Sequence, residues 1–402
     1  APHVRPEWTM DRAERIVFWA ITASALCYLL MRAAYVPITH DESRTFFIYV
    51  VTGEFFPWFS FWDAANHFIS TGVGWLSYRL GGMSPLALRV GSLIAFLLYA
   101  RYTWLWGCRM QHRGIRYLLW LSLIAIPGYI EFFALFRGYA MGMAFMLMAL
   151  YHQALFNVRA RRKDLVLALV AWPLAGWSML SLSLIWSVAI LLLLPALLLD
   201  QKPGRDCGRA IVLWMLLGVV PLMLGLLYGS ELRDRGLLYD GTDAGLVEGT
   251  YRLLLNTLFG ATHGPYFTWS MGLMIGAVAV AGWYFIGDPR QRWRDGLILV
   301  VGLLLAEFCG RELLWRMADV RYPMGRTALH WVPLIILAIA FAVDWIAQLN
   351  RKWVLLGIPL VMLPVRTFAT LNLSYAWVWP EEALPERLMQ AVCEAQRAAD
   401  RP

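Results

Sequence analysis

The residues best suited to chemistry in this sequence are two adjacent carboxylates, Asp41 and Glu42. They follow a hydrophobic run from Ile16 to about Val36 that is long enough to cross a bilayer. A carboxylate at a membrane surface can act as a general base, taking a proton from an attacking hydroxyl. A structural role is equally open at this point, because acidic residues also cap and stabilise the first turn of a helix.

The two carboxylates suit different parts of a reaction, because successive residues of a helix point about 100° apart. Asp41 is the candidate base, and one carboxylate is enough for an inverting transfer when the leaving group is a phosphate that needs little protonation. Glu42 is the second candidate catalytic residue and could instead bind a metal ion or sugar hydroxyls. Arg44 beside them is a candidate for substrate binding.

Two groups of arginines have the chemistry to bind a phosphate, because the planar guanidinium fork matches phosphate oxygens. Arg137 stands near Glu131 and Tyr139 between two hydrophobic runs. The alternative for Arg137 is a surface side chain that extends to the membrane interface.

The second group lies in one short segment and contains Arg311, Arg316, Arg321, Tyr322 and Arg326. If this segment lies outside the cell, its arginines depart from the positive-inside rule and favour an anionic ligand. If it lies inside, they are only orientation signals.

The composition places these residues in a membrane protein: 60% of the 402 residues are hydrophobic and 15% are charged. Soluble proteins average about 45–50% and about 25% respectively. The net charge of +8 comes from basic residues scattered through short loops, so nucleic acid is not an expected partner. Because hydrocarbon cannot satisfy open backbone groups, the hydrophobic runs should be helices.

We predict an all-α polytopic membrane protein with about eleven spans, a short tail at 372–402 and three amphipathic helices at the outer interface. The predicted spans lie near 16–36, 86–107, 116–130, 139–157, 164–179, 182–199, 210–228, 268–286, 296–310, 327–347 and 353–371. Arginine-rich loops placed inside leave residues 38–85, 131–138, 229–267 and 311–326 outside. The interface helices are predicted at 42–63, 66–82 and 246–259, where aromatic residues mix with polar ones.

Asn66 and His67 open the second of these interface helices and are candidates for substrate binding. The five cysteines show no metal-ligand spacing, and no HExxH, GxSxG or phosphate-binding loop is present. No cofactor is certain, and the use of a divalent metal stays open.

Five passages in this order resemble the GT-C glycosyltransferases, in particular bacterial members similar to protein mannosyltransferases and aminoarabinose transferases. They are His40-Asp41-Glu42-Ser43, Ala65-Asn66-His67-Phe68, Ser84-Pro85-Leu86-Ala87-Leu88-Arg89-Val90, Phe136-Arg137-Gly138-Tyr139 and Arg321-Tyr322-Pro323-Met324-Gly325-Arg326-Thr327-Ala328-Leu329. One departure is that many members have His-Pro-Pro after the asparagine, whereas this sequence has His67-Phe68-Ile69.

The resemblance implies an inverting enzyme of the bacterial plasma membrane that takes a sugar from a polyprenyl-phosphate carrier on the outer face. It implies that Asp41 is the catalytic carboxylate and that Arg137, Arg321 and Arg326 hold the donor phosphate. Residues 1–200 would form the catalytic module, and residues 201–371 a variable module. The acceptor would be a glycan, lipid A or a protein hydroxyl.

Two other functions stay open from the sequence. A transporter or flippase of an anionic lipid-linked sugar would also use external arginines, but it should carry charges within its spans. An O-antigen ligase or polymerase, which uses a diphosphate-linked donor, would suit the segment 229–267 with Arg233, Arg235, Arg252 and His263.

Overall fold

The computed structural model describes residues 11–200, 205–238, 241–260, 265–289, 295–377, 379–380, 394 and 396. These residues form helices joined by short loops, and they contain no strand beyond two isolated β-bridges. In chain order the helices are α1 (Arg12–Tyr35), α2 (His40–Thr45), α3 (Phe68–Gly81), α4 (Pro85–Gly107), α5 (Arg113–Ile124), α6 (Tyr129–Phe132), α7 (Gly138–Arg159), α8 (Arg162–Ser178), α9 (Ser183–Asp200), α10 (Arg205–Leu213), α11 (Val220–Asp234), α12 (Arg252–Phe259), α13 (Pro265–Gly287), α14 (Gly296–Ala318), α15 (Trp331–Leu349) and α16 (Met362–Ala369).

Short stretches of tighter or wider helix extend several of these elements. The π-helical turns are Phe46–Val50, Trp214–Val219 and Leu246–Tyr251, and the 3₁₀ segments are Leu180–Leu182, Gly325–Ala328 and Arg351–Val361. The 3₁₀ segment before α16 continues into it without a break, so 351–369 forms one long apolar rod.

The predicted all-α membrane fold is confirmed. Eight stretches of the described helices are long and apolar enough to cross a bilayer. Of the other three predicted spans, 164–179 and 296–310 fall on helices α8 and α14, whereas α5 covers the predicted span 116–130 only as far as Ile124. Helix α14 is 23 residues long but carries the buried pair Glu307 and Arg311.

Helix α7 is the centre of the bundle, and nearly all of its length is surrounded by other helices. It packs against α4 and α8. Gly142 lies close to α8, since a Cβ at this position would be 3.6 Å from the Ala175 carbonyl oxygen. The outer helices α11 and α13 instead leave many leucines, isoleucines and tryptophans exposed, as expected for surfaces that face lipid.

The three predicted interface helices fare differently. The stretch 246–259 is helical throughout, and 66–82 begins its helix at Phe68. The predicted helix over 42–63 is wrong beyond residue 50, where the chain becomes irregular. Gly53 and Trp58 have φ angles of 76° and 65°, and Pro57 lies between them, so the backbone cannot continue as a right-handed helix.

The segments 229–267 and 311–326, predicted to be external, are shorter than expected, because their flanking helices extend further. Helix α11 continues to Asp234, and α14 continues to Ala318. Of the predicted tail 372–402, the structure describes 372–377, 379, 380, 394 and 396. His263 lies outside the described residues.

Candidate active site

The Asp41 carboxylate is placed by a short helix that starts immediately after the first span. Thr39 caps α2: its hydroxyl accepts from the Glu42 backbone N–H at 3.3 Å, and its own N–H donates to Glu42 Oε2 at 2.9 Å. This reciprocal capping box fixes the first turn of the helix. Asp41 and Glu42 therefore leave the helix on different sides and enter different surroundings.

Asp41 lies between two guanidinium groups that come from distant parts of the chain. Its Oδ2 is 3.3 Å from Arg137 Nη2 and 3.1 Å from Arg326 Nη1. Its Oδ1 is 3.1 Å from Nε2 of the exposed His40. The Asp41 side chain is 10% exposed, so it is sheltered but still reachable from outside the protein.

Arg137 is held so that part of its guanidinium remains available. Its Nη1 donates to the Asp41 carbonyl at 3.4 Å and to Thr45 Oγ1 at 3.3 Å. Its Nε is buried without a hydrogen-bond partner among the described residues. A buried donor without a partner is costly, which favours a ligand or water at this position.

The glycine at position 138 allows Arg137 to lie close to Asp41. A Cβ at this position would lie 2.0 Å from the Ser178 carbonyl oxygen and 2.6 Å from His67 Cβ, so only glycine fits. The start of α7 is therefore pressed between the end of α8 and the start of α3. This packing fixes Arg137, the residue before α7, against Asp41.

The Glu42 carboxylate is buried, and both of its oxygens accept hydrogen bonds. Arg89 contacts both of its oxygens, with Nε donating to Oε1 at 2.8 Å and Nη2 to Oε2 at 2.6 Å. The Phe136 N–H also donates to Oε1 at 2.6 Å. Burial alone would raise the pKa of Glu42, but the Arg89 charge and these hydrogen bonds outweigh it and hold that pKa below its usual value.

Arg89 itself was not singled out from the sequence, although it decides the role of Glu42. Besides Glu42, its guanidinium donates to the carbonyls of Ala33, Val36 and Pro37 at the end of α1, at 3.2, 2.7 and 2.9 Å. The sequence signals for Arg89 are its place in the passage from Ser84 to Val90 and its charge within an apolar run. These contacts favour a structural role for Glu42 in place of the catalytic one predicted.

The second arginine group does not converge on one site. Arg326 reaches Asp41, whereas Arg321 is half exposed and lies 3.3 Å from Asp243. The Tyr322 hydroxyl donates to Glu312 at 2.6 Å, and its backbone pairs with Thr242. We call Asp41, Arg137 and Arg326 the Asp41 cluster. The structure separates Arg321 and Tyr322 from this cluster, because the turn at 325–328 directs only Arg326 towards it.

Among the remaining candidate residues, His67 and Tyr139 lie next to the Asp41 cluster and contact each other. The His67 ring packs on Tyr139 at 5.2 Å, and its Nδ1 is 2.9 Å from the Ser178 carbonyl. Since a carbonyl only accepts, Nδ1 carries the proton, and the buried Nε2 is an acceptor without a partner among the described residues. Burial and the charges of Arg137 and Arg326 lower the pKa of His67 well below 6.5.

Asn66 and Arg44 have structural partners in the segment 38–85 that follows α1. The buried Asn66 side chain donates to the Phe55 carbonyl at 3.2 Å and accepts from Thr71 at 3.1 Å. Arg44 forms an ion pair of 2.7 Å with Asp63. Both residues hold the loop together and lie beside the cluster instead of contributing a group to it.

Glu131 anchors the C-terminal segment instead of lying beside Asp41. It pairs with Arg32 at 2.8 Å and accepts from the backbone N–H of Trp377. Arg32 also donates to the Asn372 carbonyl at 2.6 Å. We call residues 372–377, 379 and 380 the C-terminal strap, since this buried ion pair ties them across the bundle end that carries Asp41.

The strap places two tryptophans on two arginines. The Trp379 ring lies 5.2 Å from the Arg326 guanidinium and 6.0 Å from the His40 ring. Trp377 lies 5.3 Å from the guanidinium of Arg366. The strap thus covers one side of the Asp41 cluster, which the sequence did not predict.

A divalent metal does not fit this cluster. No group of three or more potential ligands occurs among the described residues, and Asp41 Oδ2 faces two guanidinium groups that would repel a cation. The arrangement suits an anion at the arginines and proton transfer at the carboxylate.

Comparisons with known proteins concern the fold alone. No protein-family model matches the chain, and no curated protein sequence matches it. Two solved structures, both of ArnT from Cupriavidus metallidurans, cover 90% of this chain at 16% identity, with TM-scores of 0.54 in the apo state and 0.53 with undecaprenyl phosphate bound. The chain has the GT-C fold. It spans 66% of the length of those two chains.

Proposed function

We propose that this chain is an inverting glycosyltransferase that uses a polyprenyl-phosphate-linked sugar as its donor. Its active site would face outward at the bacterial plasma membrane, and the acceptor would be a glycan, a lipid or a protein hydroxyl. The observation that carries the proposal is the Asp41 carboxylate between Arg137 and Arg326 at one end of a GT-C bundle. The undecaprenyl phosphate bound to ArnT supports this donor class.

Each group in the cluster has a place in the reaction. The acceptor hydroxyl attacks the anomeric carbon on the face opposite the phosphate, while Asp41 takes the hydroxyl proton. The bond between that carbon and the phosphate oxygen breaks, and the phosphate leaves with the electron pair. Arg137 and Arg326 stabilise the added negative charge, because a guanidinium has five donors and can contact Asp41 and a phosphate together.

The alternative functions receive less support from the described residues. Arg233 and Arg235, which would suit a diphosphate in a ligase, are exposed and pair locally with Asp234 and Glu231. Two buried charges of the span α14, Arg311 and Glu307, pair with each other at 2.8 Å, and the buried Asp344 of α15 accepts from the backbone N–H groups of Gln111 and His112. Charges that are satisfied locally in this way give a transporter function less support.

The test compares donors and variants in purified, reconstituted protein. We expect release of polyprenyl phosphate from a panel of polyprenyl-phosphate hexoses, and none from diphosphate-linked donors. Asp41→Asn should lower that release by a factor of about 100 or more, because the base is lost. Glu54→Gln on the same loop is the matched control, since Glu54 is exposed and outside the cluster. Release by Asp41→Asn at the control rate would contradict the role of Asp41, and turnover of only diphosphate donors would contradict the donor class.

A further inference from the structure

A large apolar groove lies on the side of the bundle, between α13 and the rod 351–369. Its volume is about 800 Å³. Several of its lining residues are exposed on the outer surface, including Trp269, Leu355, Ile358 and Val365. Apolar side chains that are exposed on helices long enough to span a bilayer contact lipid chains, so the groove opens to the bilayer.

Arg366 lies at one end of this groove. It is the one charged residue among the described residues that line the groove. Its Nε is buried without a hydrogen-bond partner in the described parts of the chain. The Trp377 ring covers one face of the guanidinium at 5.3 Å, which leaves its edges to bind a ligand. A cation at the mouth of an apolar groove fits a ligand with an anionic head and an apolar chain.

Packing contacts link the groove to the 325–328 turn that carries Arg326. A smaller cavity of about 80 Å³ shares Phe259, Tyr266 and Trp269 with the groove and reaches Val332 on α15. Helix α12, which lines that cavity, packs against the 325–328 turn that carries Arg326. The strap joins the two sites as well, because Trp377 lies on Arg366 and Trp379 lies on Arg326.

We propose that this groove and Arg366 form a docking site for the free polyprenyl phosphate carrier, with the chain in the groove and the phosphate on Arg366. The inference rests on the proposed function for the identity of the lipid. A single apolar chain fits one continuous groove, and a terminal phosphate can form two parallel hydrogen bonds with one guanidinium. The carrier would occupy this position before loading or after transfer, apart from the reacting position at Arg137 and Arg326.

The experiment measures lipid binding to the full-length protein in detergent by native mass spectrometry. The probes are polyprenyl phosphate, polyprenol of equal length, phosphatidylglycerol and inorganic phosphate. Arg366→Gln removes the charge, and Arg366→Lys keeps it. Gly272→Leu adds a side chain to the groove, where a Cβ meets nothing within 4 Å, and Gly276→Leu is its matched control on the same helix outside the lining.

We expect the wild type to prefer polyprenyl phosphate over the other three probes. Arg366→Gln should weaken polyprenyl phosphate binding on the order of tenfold and leave polyprenol binding unchanged, because only the charged hydrogen bonds are lost. Arg366→Lys should retain most of the affinity. Gly272→Leu should weaken both lipids by a factor of roughly ten, and Gly276→Leu should weaken neither.

Wild-type affinity in both Arg366→Gln and Gly272→Leu would overturn the proposal. A preference for phosphatidylglycerol that Arg366→Gln abolishes would also overturn it, since the site would then belong to a bilayer phospholipid. Equal retention of inorganic phosphate would show a simple anion site and overturn it too. If the expected pattern appears while no polyprenyl-phosphate donor is turned over, the docking site stands and the proposed function fails.

Discussion

Asp41 and Glu42 are neighbours in the sequence, yet they occupy two opposite kinds of environment. The Glu42 carboxylate is 1% exposed and receives donors on both oxygens, with Arg89 supplying a two-pronged ion pair. The Asp41 carboxylate stays partly accessible, and it shares one oxygen between two guanidinium groups from different parts of the chain. One turn of helix therefore presents a closed ion pair on one side and a group able to react on the other.

The difference teaches what to look for in a candidate catalytic carboxylate. A buried carboxylate whose oxygens already accept several hydrogen bonds cannot accept a proton from a substrate hydroxyl without breaking some of those bonds. A partly exposed carboxylate can accept that proton, and a neighbouring arginine with a spare N–H can bind a ligand beside it. Arg137, with its buried unpaired Nε, marks the Asp41 side as the incomplete one.

The largest expected effect that tests the contrast between Asp41 and Glu42 is on the free energy of unfolding. Glu42→Gln should lower the free energy of unfolding by about 3 kcal/mol or more, because it leaves the Arg89 charge buried without its partner. Thermal unfolding in detergent, followed by intrinsic fluorescence, measures this loss. The double variant Glu42→Leu, Arg89→Met should regain part of it. A wild-type melting temperature for Glu42→Gln would mean that Glu42 is not the structural clamp.

The next effect is on donor binding. Arg326→Gln should raise the KM for the polyprenyl-phosphate sugar about tenfold, because one charged hydrogen bond to the phosphate is lost. Arg321→Gln is the matched control, since Arg321 pairs with Asp243 outside the cluster and should leave KM unchanged. Steady-state transfer at several donor concentrations measures both. Equal KM changes in the two variants would remove the distinction between these arginines.

A smaller effect concerns pH. The pKa of His67 is well below 6.5 in the folded protein, so below pH 6.5 the unfolded chain binds more protons at this residue. The contribution of His67 to the free energy of unfolding should therefore stay nearly constant above pH 6.5. It should fall as the pH drops below 6.5, by at most about 1.4 kcal/mol per pH unit. The loss between pH 7 and pH 5.5 should be smaller in His67→Gln. Identical losses would show that His67 is not held neutral.

The smallest expected effect is on the strap. Trp379→Leu removes the ring that covers Arg326, and should weaken donor binding two- to fivefold, since such contacts contribute about 0.5–1 kcal/mol. Trp379→Phe should retain most of the binding. The same transfer assay measures both variants, and equal KM values for Leu and Phe would assign the strap a purely structural role.

Some of this arrangement follows from the sequence and some depends on tertiary packing. Residue types and loop positions bring Asp41, Arg137 and Arg326 into one hypothesis, and the hydrophobic runs predict the helical bundle. Arg321 and Arg326 are alike in sequence, but a 3₁₀ turn at 325–328 sends them to different partners. Arg89 lies within an apolar run, so only its three-dimensional contacts with Glu42 and the end of α1 reveal its role.

The segment 38–85 after α1 shows most clearly what local sequence patterns fail to predict. Aromatic and polar residues over 42–63 have the composition of an interface helix, but Gly53 and Trp58 take left-handed backbone angles and end it. The strap has no sequence signal either, because its place depends on the distant pair Arg32 and Glu131. Local composition predicted the elements, and long-range pairs decided which side chains meet.

The measurement that tests the account most directly compares Asp41→Asn with Glu42→Gln in the same preparation, for both melting temperature and transfer per folded molecule. The account predicts that Asp41→Asn keeps a melting temperature near that of the wild type and loses transfer by a factor of about 100 or more. It predicts that Glu42→Gln melts earlier and keeps transfer within about tenfold at a temperature where it is folded. The reverse pattern, with a stable but inactive Glu42→Gln and an active Asp41→Asn, would contradict it.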